Sequence, residues 1–160
     1  MGLLDVFKKK EISVAAPMQG TCVSIQEVSD PTFGQEILGK GVAIRPADGR
    51  VCAPADGVVS TVFPTGHAVG ITTKDNVDLL IHVGLDTVKM DGRGFEILCR
   101  DGQEVKKGDL LIRADLELIR QEGYDTITPV VICNSDDFSQ IEKRADGEVA
   151  VGDTVLTLKK

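Results

Sequence analysis

The sequence is poor in several features on which common site chemistries depend. It has only two histidines, and its four cysteines (Cys22, Cys52, Cys99 and Cys133) are scattered without a CxxC pair. That scatter argues against both a zinc module and a disulfide framework, so we interpret the cysteines as reduced small hydrophobes. No apolar run is long enough to cross a bilayer, which excludes a transmembrane span.

Positive charge is also scarce, because 18 Lys and Arg face 25 Asp and Glu, giving a net charge of −7. Nucleic-acid affinity is supplied largely by cationic side chains, so no nucleic-acid partner is predicted and a basic protein is the better fit. The first ten residues place their lysines after the apolar residues, the reverse of a secretory signal. We therefore expect a cytoplasmic protein.

What is present is a chain of 160 residues, the size of one domain, in which 17 glycines punctuate short β-rich runs. This spacing predicts an all-β fold, an antiparallel β-sandwich or flattened barrel of many short strands with very little helix. The predicted strands are 14–16, 21–25, 42–45, 58–63, 69–73 and 77–83. The helical candidates are the N-terminal stretch, a turn within 115–120 and residues 136–140.

Two pairs of segments echo each other along the chain. APMQGTCVSI at 16–25 is matched by APADGVVSTV at 53–62, and VKKGDLLI at 105–112 is matched by VAVGDTVL at 149–156. In each echo a Pro or Gly breaks the chain before a strand, or Gly-Asp turns into one. The pattern is typical of biotinyl and lipoyl modules, so we predict a fold related to those hybrid motifs.

The two histidines, His67 and His82, each lie near the end of a β-like run, where an imidazole could reach the surface. If the two runs are antiparallel neighbours, the rings meet at one end of the sheet. Thr65 offers a hydroxyl that can fix the tautomer of His67, and the Gly84 carbonyl can accept Nδ1–H from His82 and leave its Nε2 unprotonated. The alternative is two unrelated surface or half-buried histidines.

The motifs around these histidines resemble a known family. HVGLDTV at 82–88, followed by GRGF at 92–95, is similar to the signature of the glucose-type IIA component of the bacterial phosphoenolpyruvate-dependent sugar phosphotransferase system. The likeness extends through FGQEILGKGVAI at 33–44, PTGHA at 64–68, GQEV at 102–105 and TPVV at 128–131. It covers essentially the whole chain from Ile12 onward.

The resemblance implies a phosphotransferase component with a phosphohistidine intermediate. His82 would accept a phosphoryl group from a histidine-phosphorylated carrier protein and pass it to a cysteine on the IIB domain of a sugar permease. His67 would be its helper, with Thr65 as the orienting partner and Gly84 completing the active-site set. No cofactor would be required, and regulatory binding to other proteins is a further implication.

The resemblance also implies a surface for protein partners. Two aspartates, Asp30 and Asp86, would meet basic residues of the phosphocarrier, since complementary charge speeds transient encounters. The apolar positions expected to ring the site are Phe33, Ile37, Leu38, Phe63, Val69 and Val83. The alternative for the apolar set is ordinary core, and for the aspartates solvated surface or turn caps.

Two further expectations concern the chain's ends and metal binding. We predict a flexible or membrane-associating tail over 1–11 and a single IIA domain over 12–160, with residues 2–10 able to contact anionic membrane beside a permease. A disordered terminus is the alternative. Zinc is conditional, because His67 and His82 supply only two ligands and a partner's carboxylate would have to complete the site.

Two rival functions remain from the sequence alone. Lys89, between Val88 and Met90, superficially resembles the modified lysine of biotinyl domains, but that interpretation leaves both histidine motifs unexplained. A zinc hydrolase lacks an HxxxD or HxH ligand set. The sequence leaves open which sugar is served, whether glucose, N-acetylglucosamine, sucrose or a β-glucoside, and also the oligomeric state and the regulatory partners.

Overall fold

The structure is a computed structural model that describes residues 11–144 and 146–160, and strands make up most of its regular secondary structure. The strands are β1 (Glu11–Ala15), β2 (Gly20–Ser24), β3 (Lys40–Pro46), β4 (Arg50–Cys52), β5 (Gly57–Val62), β6 (Ala68–Thr73), β7 (Asp78–His82), β8 (Phe95–Ile97), β9 (Glu104–Val105), β10 (Leu110–Ala114), β11 (Thr128–Ile132), β12 (Gln140–Lys143), β13 (Gly147–Val149) and β14 (Thr154–Lys159). The helices are α1 (Pro31–Gly34) and α2 (Leu116–Gln121), with 3₁₀ turns at Ile25–Glu27, Thr87–Met90 and Ser135–Asp137.

The strands form one large and two small sheets, and every described pairing is antiparallel. The eight-stranded sheet has the order β13-β2-β3-β11-β7-β6-β5-β9, and the three-stranded sheets are β1-β14-β12 and β4-β10-β8. The predicted all-β fold with little helix is confirmed. The predicted tail lies outside the described residues except for Glu11, which pairs with Lys159 in β1 and so belongs to a sheet.

The large sheet is internally duplicated. Its strand order reads β13-β2-β3-β11 from one edge and β9-β5-β6-β7 from the other, so a pseudo-twofold axis passes between β11 and β7, where Val130 pairs with Ile81. The small sheets correspond in the same way, with β1, β14 and β12 matching β4, β10 and β8. The two halves of the fold therefore repeat one strand arrangement, as the echoes predicted.

Hydrogen bonds between the echoed segments are reciprocal. The Ala15 N–H donates to the Pro54 carbonyl at 2.9 Å, and the Cys52 N–H donates to the Pro17 carbonyl at 2.8 Å. The two Gly-Asp turns are closed identically, because a carboxylate oxygen of Asp109 and one of Asp153 each accept an N–H from three residues earlier at 2.8 Å. Sequence similarity between the halves thus reflects equivalent backbone contacts.

The short helices follow from their capping residues. Asp30 accepts the Thr32 N–H and precedes Pro31, so α1 begins there, and the Asp115 carboxylate accepts the Leu118 N–H to start α2. The predicted helical turn at 115–120 is confirmed. The helix predicted over 136–140 is wrong, because the 3₁₀ turn Ser135–Asp137 ends within that stretch and Gln140 is the first residue of β12. No described helix is long and apolar enough to cross a membrane.

The hydrophobic core lies in two clusters on opposite faces of the large sheet. The larger one packs between the sheets and includes Val69, Ile81 and Val83. The smaller one covers the outer face of β3, β11 and β7, and its members are Val23, Ile25, Val28, Phe33, Ala43, Leu85, Ile127 and Val131, with Leu80 packed against them. The histidine end of β7 lies beside this outer cluster, since the rings of Phe33 and His82 are 5.0 Å apart.

Candidate functional site

Neighbouring strands bring the two histidines together at one end of the large sheet. His82 is the last residue of β7 and pairs with Ala68, the first residue of β6, so His67 lies immediately beyond the strand end. The Val83 N–H donates to the His67 carbonyl at 2.7 Å and closes that end. The ring centroids of His67 and His82 are 4.9 Å apart with the planes nearly perpendicular at 80°, which confirms the predicted juxtaposition.

The tautomer of His82 is set by a backbone group. Its Nδ1 lies 2.8 Å from the Gly84 carbonyl oxygen, and a carbonyl oxygen can only accept a hydrogen bond. Nδ1 therefore carries the proton, and in the neutral ring the lone pair is on Nε2. The tilted Phe33 ring packs against the imidazole and holds it from the outer-cluster side.

His67 is held by a different kind of partner. Its Nδ1 lies 2.5 Å from Thr65 Oγ1, and a hydroxyl can donate to a bare ring nitrogen. The Phe63 ring meets it edge-on at 5.3 Å. The residue keeps only 3% of its surface exposed, so the expectation that its imidazole reaches the surface is wrong. The rings of Phe63 and His82 cover it from two sides.

The ring nitrogens without a hydrogen-bond partner are not completely sealed from solvent. Within residues 11–144 and 146–160, every side-chain nitrogen or oxygen that is sealed from solvent has a hydrogen-bond partner. Each histidine makes one side-chain hydrogen bond there, through Nδ1, and Nε2 has none. Neither Nε2 is therefore sealed, and both are available to a molecule that enters the site.

Burial keeps both rings uncharged near neutral pH. Desolvation, followed by repulsion from His82, lowers the pKa of His67 from 6.5 to about 4. Desolvation also lowers the pKa of His82, and it outweighs the Gly84 carbonyl and the negative charges of Asp30 and Asp86, which act in the opposite direction. The site thus holds two neutral imidazoles side by side, without the mutual repulsion of two cations.

Two glycines are required by the backbone around the histidines. Gly84 has φ of 75°, and a Cβ there would lie 2.6 Å from Thr87 Cγ2 and 2.7 Å from the Asp125 carbonyl oxygen. Gly66 has φ of 74°, and its Cβ would lie 2.9 Å from Phe95 Cβ. Any side chain at either position would displace the loop that carries a histidine.

The expected partner surface is present in part. Ile37 is 70% exposed, while Leu38 and Phe63 are each a little over one-third exposed. Phe33 is buried and forms a wall of the site through its contact with His82. Asp30 and Asp86 lie close enough to His82 for their charges to raise its pKa, so both aspartates belong to the site's surroundings.

Val69 and Val83 do not belong to that surface, and their assignment to it is wrong. Both are completely buried in the larger core cluster. Side chains alternate along a strand, and Val69 pairs with Ile81 on the core face, whereas His82 pairs with Ala68 on the other face. Val83, next to His82 in sequence, therefore points away from it into the core.

The sequence analysis missed one apolar residue on the face of β7 that carries His82. Leu80 lies two residues before His82 on the same face of β7 and is partly exposed. Strand alternation was the signal that could have found it. Val88, the last residue of the motif HVGLDTV, is 51% exposed in the 3₁₀ turn Thr87–Met90. Lys89 lies in the same 3₁₀ turn, whereas the modified lysine of a biotinyl domain lies at the tip of a β-hairpin.

Metal-ligating groups are few around the site. Among the residues that the structure describes, no group of three or more His, Cys, Asp or Glu side chains could hold a metal ion. His67 and His82 offer two unpartnered Nε2 atoms, which suit zinc in chemistry but fall short of the three or four protein ligands it usually takes.

Comparison with known proteins assigns a class to this duplicated fold and its histidine pair. Residues 12–138 match the family model of the phosphoenolpyruvate-dependent sugar phosphotransferase system, EIIA 1. The match defines a component of the sugar phosphotransferase system. The chain belongs to the EIIA 1 family of that system, which confirms the resemblance found in the sequence.

Relatives cover nearly the full length. The chain is 43% identical over 152 residues to a glucose-specific EIIA component of Buchnera aphidicola, covering 95% of this chain and 94% of that protein. It is 46% identical over 151 residues to one from Halalkalibacterium halodurans, covering 94% and 87%. The solved glucose permease IIA of Mycoplasma capricolum superposes with a TM-score of 0.89 at 39% identity, covering 99% and 100%.

We predict that His67 stays neutral until the pH falls well below 6.5. Imidazole ¹⁵N NMR should show it protonating near pH 4, with His82 as the Nδ1–H tautomer and His67 as the Nε2–H tautomer. Because the folded pKa lies below the unfolded value, the unfolded state binds more protons. This contribution to stability is complete above pH 6.5 and is lost as the pH falls towards 4.

The control for that titration is His67→Gln, which removes the group. Wild type should lose more stability than this variant between pH 6.5 and 4, by up to about 3 kcal/mol on the size of the pKa shift. An NMR pKa of His67 at or above 6.5 would contradict the burial argument.

We further predict that Gly84→Ala disrupts the site while Gly102→Ala is tolerated. Both glycines have left-handed φ values, 75° and 81°, but a Cβ at Gly102 meets nothing within 4 Å. Gly102→Ala should cost about 1 kcal/mol for its backbone conformation alone, and Gly84→Ala about 1–3 kcal/mol more for the clash. Urea unfolding measures both, and equal losses would show that the loop yields freely.

Proposed function

We propose that this chain is the glucose-type IIA component of a sugar phosphotransferase system, carrying a phosphoryl group on His82 between two protein partners. The observation that carries the proposal is the pair of neutral imidazoles 4.9 Å apart, held through Nδ1 by partners of different hydrogen-bonding character. A carbonyl partner gives His82 a nucleophilic Nε2. A hydroxyl partner allows His67 to present Nε2–H as a donor.

The first half-reaction loads His82. Its Nε2 lone pair attacks the phosphorus of a phosphohistidine on a small carrier protein, and the P–N bond to the carrier breaks as the carrier's imidazole leaves with the electron pair. Because one phosphoramidate replaces another, the step is near balance and needs no nucleotide. Catalysis then rests on aligning the attacking and leaving nitrogens and on stabilising the phosphoryl oxygens.

His67 supports the charge that develops on the phosphoryl oxygens. When Thr65 donates its hydroxyl proton to Nδ1, the proton of the neutral His67 ring is on Nε2, and this N–H, in a ring centred 4.9 Å from that of His82, can donate to a phosphoryl oxygen. Its depressed pKa keeps the ring neutral, and with the proton on Nε2 that nitrogen has no lone pair with which to compete with His82 for the phosphorus. His67 and His82 are the catalytic residues of this proposal.

The second half-reaction unloads His82 to a cysteine of a IIB domain. The thiolate attacks phosphorus, the P–N bond breaks, and the electron pair returns to Nε2. A longer relative supports this partner: the chain is 44% identical over 146 residues to part of the glucose-specific EIICBA component of Staphylococcus carnosus, covering 22% of that protein. We infer a cytoplasmic protein that works at a membrane permease, with glucose as the sugar named in its relatives.

The surface around the site fits two successive protein partners. Exposed Ile37, Leu38 and Phe63 supply apolar contact, and Asp30 and Asp86 supply negative charge for a basic phosphocarrier. The net charge of −7 extends the same field over the whole chain. The proposed membrane contact through residues 2–10 lies outside the described residues.

The decisive test is phosphorylation of histidine variants by the general phosphotransfer proteins and phosphoenolpyruvate, followed by transfer to a IIB domain. His82→Ala should take up no acid-labile phosphate. His67→Gln keeps an N–H donor but loses the ring orientation set by Thr65, so it should be labelled yet pass the group on about 10²–10³-fold more slowly. Intact mass and transfer of labelled phosphate report the two steps.

Lys89→Arg is the matched control, because it preserves the charge and removes the lysine that would be modified if the chain were a biotinyl domain. It should be labelled and unloaded like wild type. Labelling of His82→Ala to the wild-type level, or normal onward transfer by His67→Gln, would refute the roles assigned to the two rings.

We also propose that zinc is not needed for transfer and binds tightly only when a partner supplies a further carboxylate to the two Nε2 atoms. Removing metal with EDTA should leave the rate of transfer from pre-phosphorylated carrier protein to His82 unchanged within about twofold, since two imidazoles form an incomplete site. A large loss of rate that zinc restores would contradict this. Calorimetric titration with zinc alone should show only weak binding, absent in His82→Gln.

A further inference from the structure

The reactivity proposed for His82 depends on where the Gly84 carbonyl points. That oxygen belongs to the peptide between Gly84 and Leu85, and it fixes the ring's proton on Nδ1. Gly84 has φ of 75°, so no side chain of its own restrains the peptides on either side. Something else in the fold must hold this carbonyl towards the ring.

The peptide before Gly84 is held by Thr87. This residue is completely buried, and its Oγ1 donates to the Val83 carbonyl oxygen at 2.5 Å. Its methyl group faces the other side of the same loop, 2.6 Å from where a Gly84 Cβ would be. One threonine side chain therefore contacts the peptide preceding Gly84 through its hydroxyl and Gly84 itself through its methyl.

The peptide after Gly84 is held from the opposite direction. Its N–H, on Leu85, donates to the Asp125 carbonyl at 3.0 Å, while its C=O accepts from His82 Nδ1. Asp125 is itself fixed, because its carboxylate accepts the Ile127 N–H at 2.8 Å. Hydrogen bonds at both ends of one amide polarise each other, so this arrangement strengthens the carbonyl as an acceptor.

We propose that Thr87 is a positioning residue for phosphoryl transfer, whose buried hydroxyl fixes the loop 83–87 so that the Gly84 carbonyl holds His82 as the Nδ1–H tautomer. The inference rests on the proposed function of His82. Thr87 itself contacts neither histidine ring in the hydrogen bonds and ring contacts of the described residues, so it acts through the peptide rather than on the phosphoryl group.

The test compares Thr87→Val, which keeps the shape and loses the hydroxyl, with Thr87→Ser, which keeps the hydroxyl. In transfer from the phosphorylated carrier protein, Thr87→Val should lower kcat about tenfold with KM unchanged, because the partner surface is untouched. Imidazole ¹⁵N NMR should show a mixture of His82 tautomers in Thr87→Val. Thr87→Ser should stay within about twofold of wild type in rate and keep the single tautomer.

Wild-type kcat and a single Nδ1–H tautomer in folded Thr87→Val would overturn the inference, as would a defect in Thr87→Ser as large as that in Thr87→Val. If Thr87→Val does not fold, Thr87→Ala replaces it, and equal rates and tautomers in the Ser and Ala variants reject the role of the hydroxyl. Failure of the wild-type chain to accept phosphate on His82 would instead reject the proposed function.

Discussion

The hydrogen bond from His82 Nδ1 to the Gly84 carbonyl is the interaction on which the site depends. It requires a glycine with a left-handed φ at position 84, and it determines which nitrogen of the His82 ring keeps a lone pair. A carboxylate acceptor could be protonated, whereas a backbone carbonyl stays an acceptor at every pH, and here its peptide is held by the loop around it. The neighbouring ring has a hydroxyl as its Nδ1 partner, so two chemically identical side chains are held by groups of different hydrogen-bonding character.

The duplicated scaffold offers two equivalent places for such a site and uses one. The pseudo-twofold axis that relates Val130 to Ile81 also relates Val131 to His82 and Gly41 to Ala68, since both pairs occupy matching registers. Val131 is completely buried in the outer cluster, while His82 is partly exposed. Function in this fold therefore comes from breaking its symmetry at one sheet end.

The sequence predicted the features that local chemistry governs. Glycine punctuation and the two echoes indicated the antiparallel all-β fold, and the hydrogen-bond partners Thr65 and Gly84 lie only two residues from their histidines, within reach of a local argument. Long-range contacts could not be read in the same way. The burial of His67 and the Asp125 contact depend on strands or loops that meet only in the folded chain.

The error over Val83 comes from choosing a neighbour along the chain, whereas Val69, two residues from His67, is buried because it pairs with Ile81 on the core face of the sheet. Strand alternation sends adjacent residues to opposite faces, so the residue beside a surface histidine is a core residue and the one two positions away shares its face. Leu80, two residues before His82, shares its face, whereas Val83, the next residue after His82, is buried in the core. A register argument applied to β7 before any family likeness would have selected Leu80.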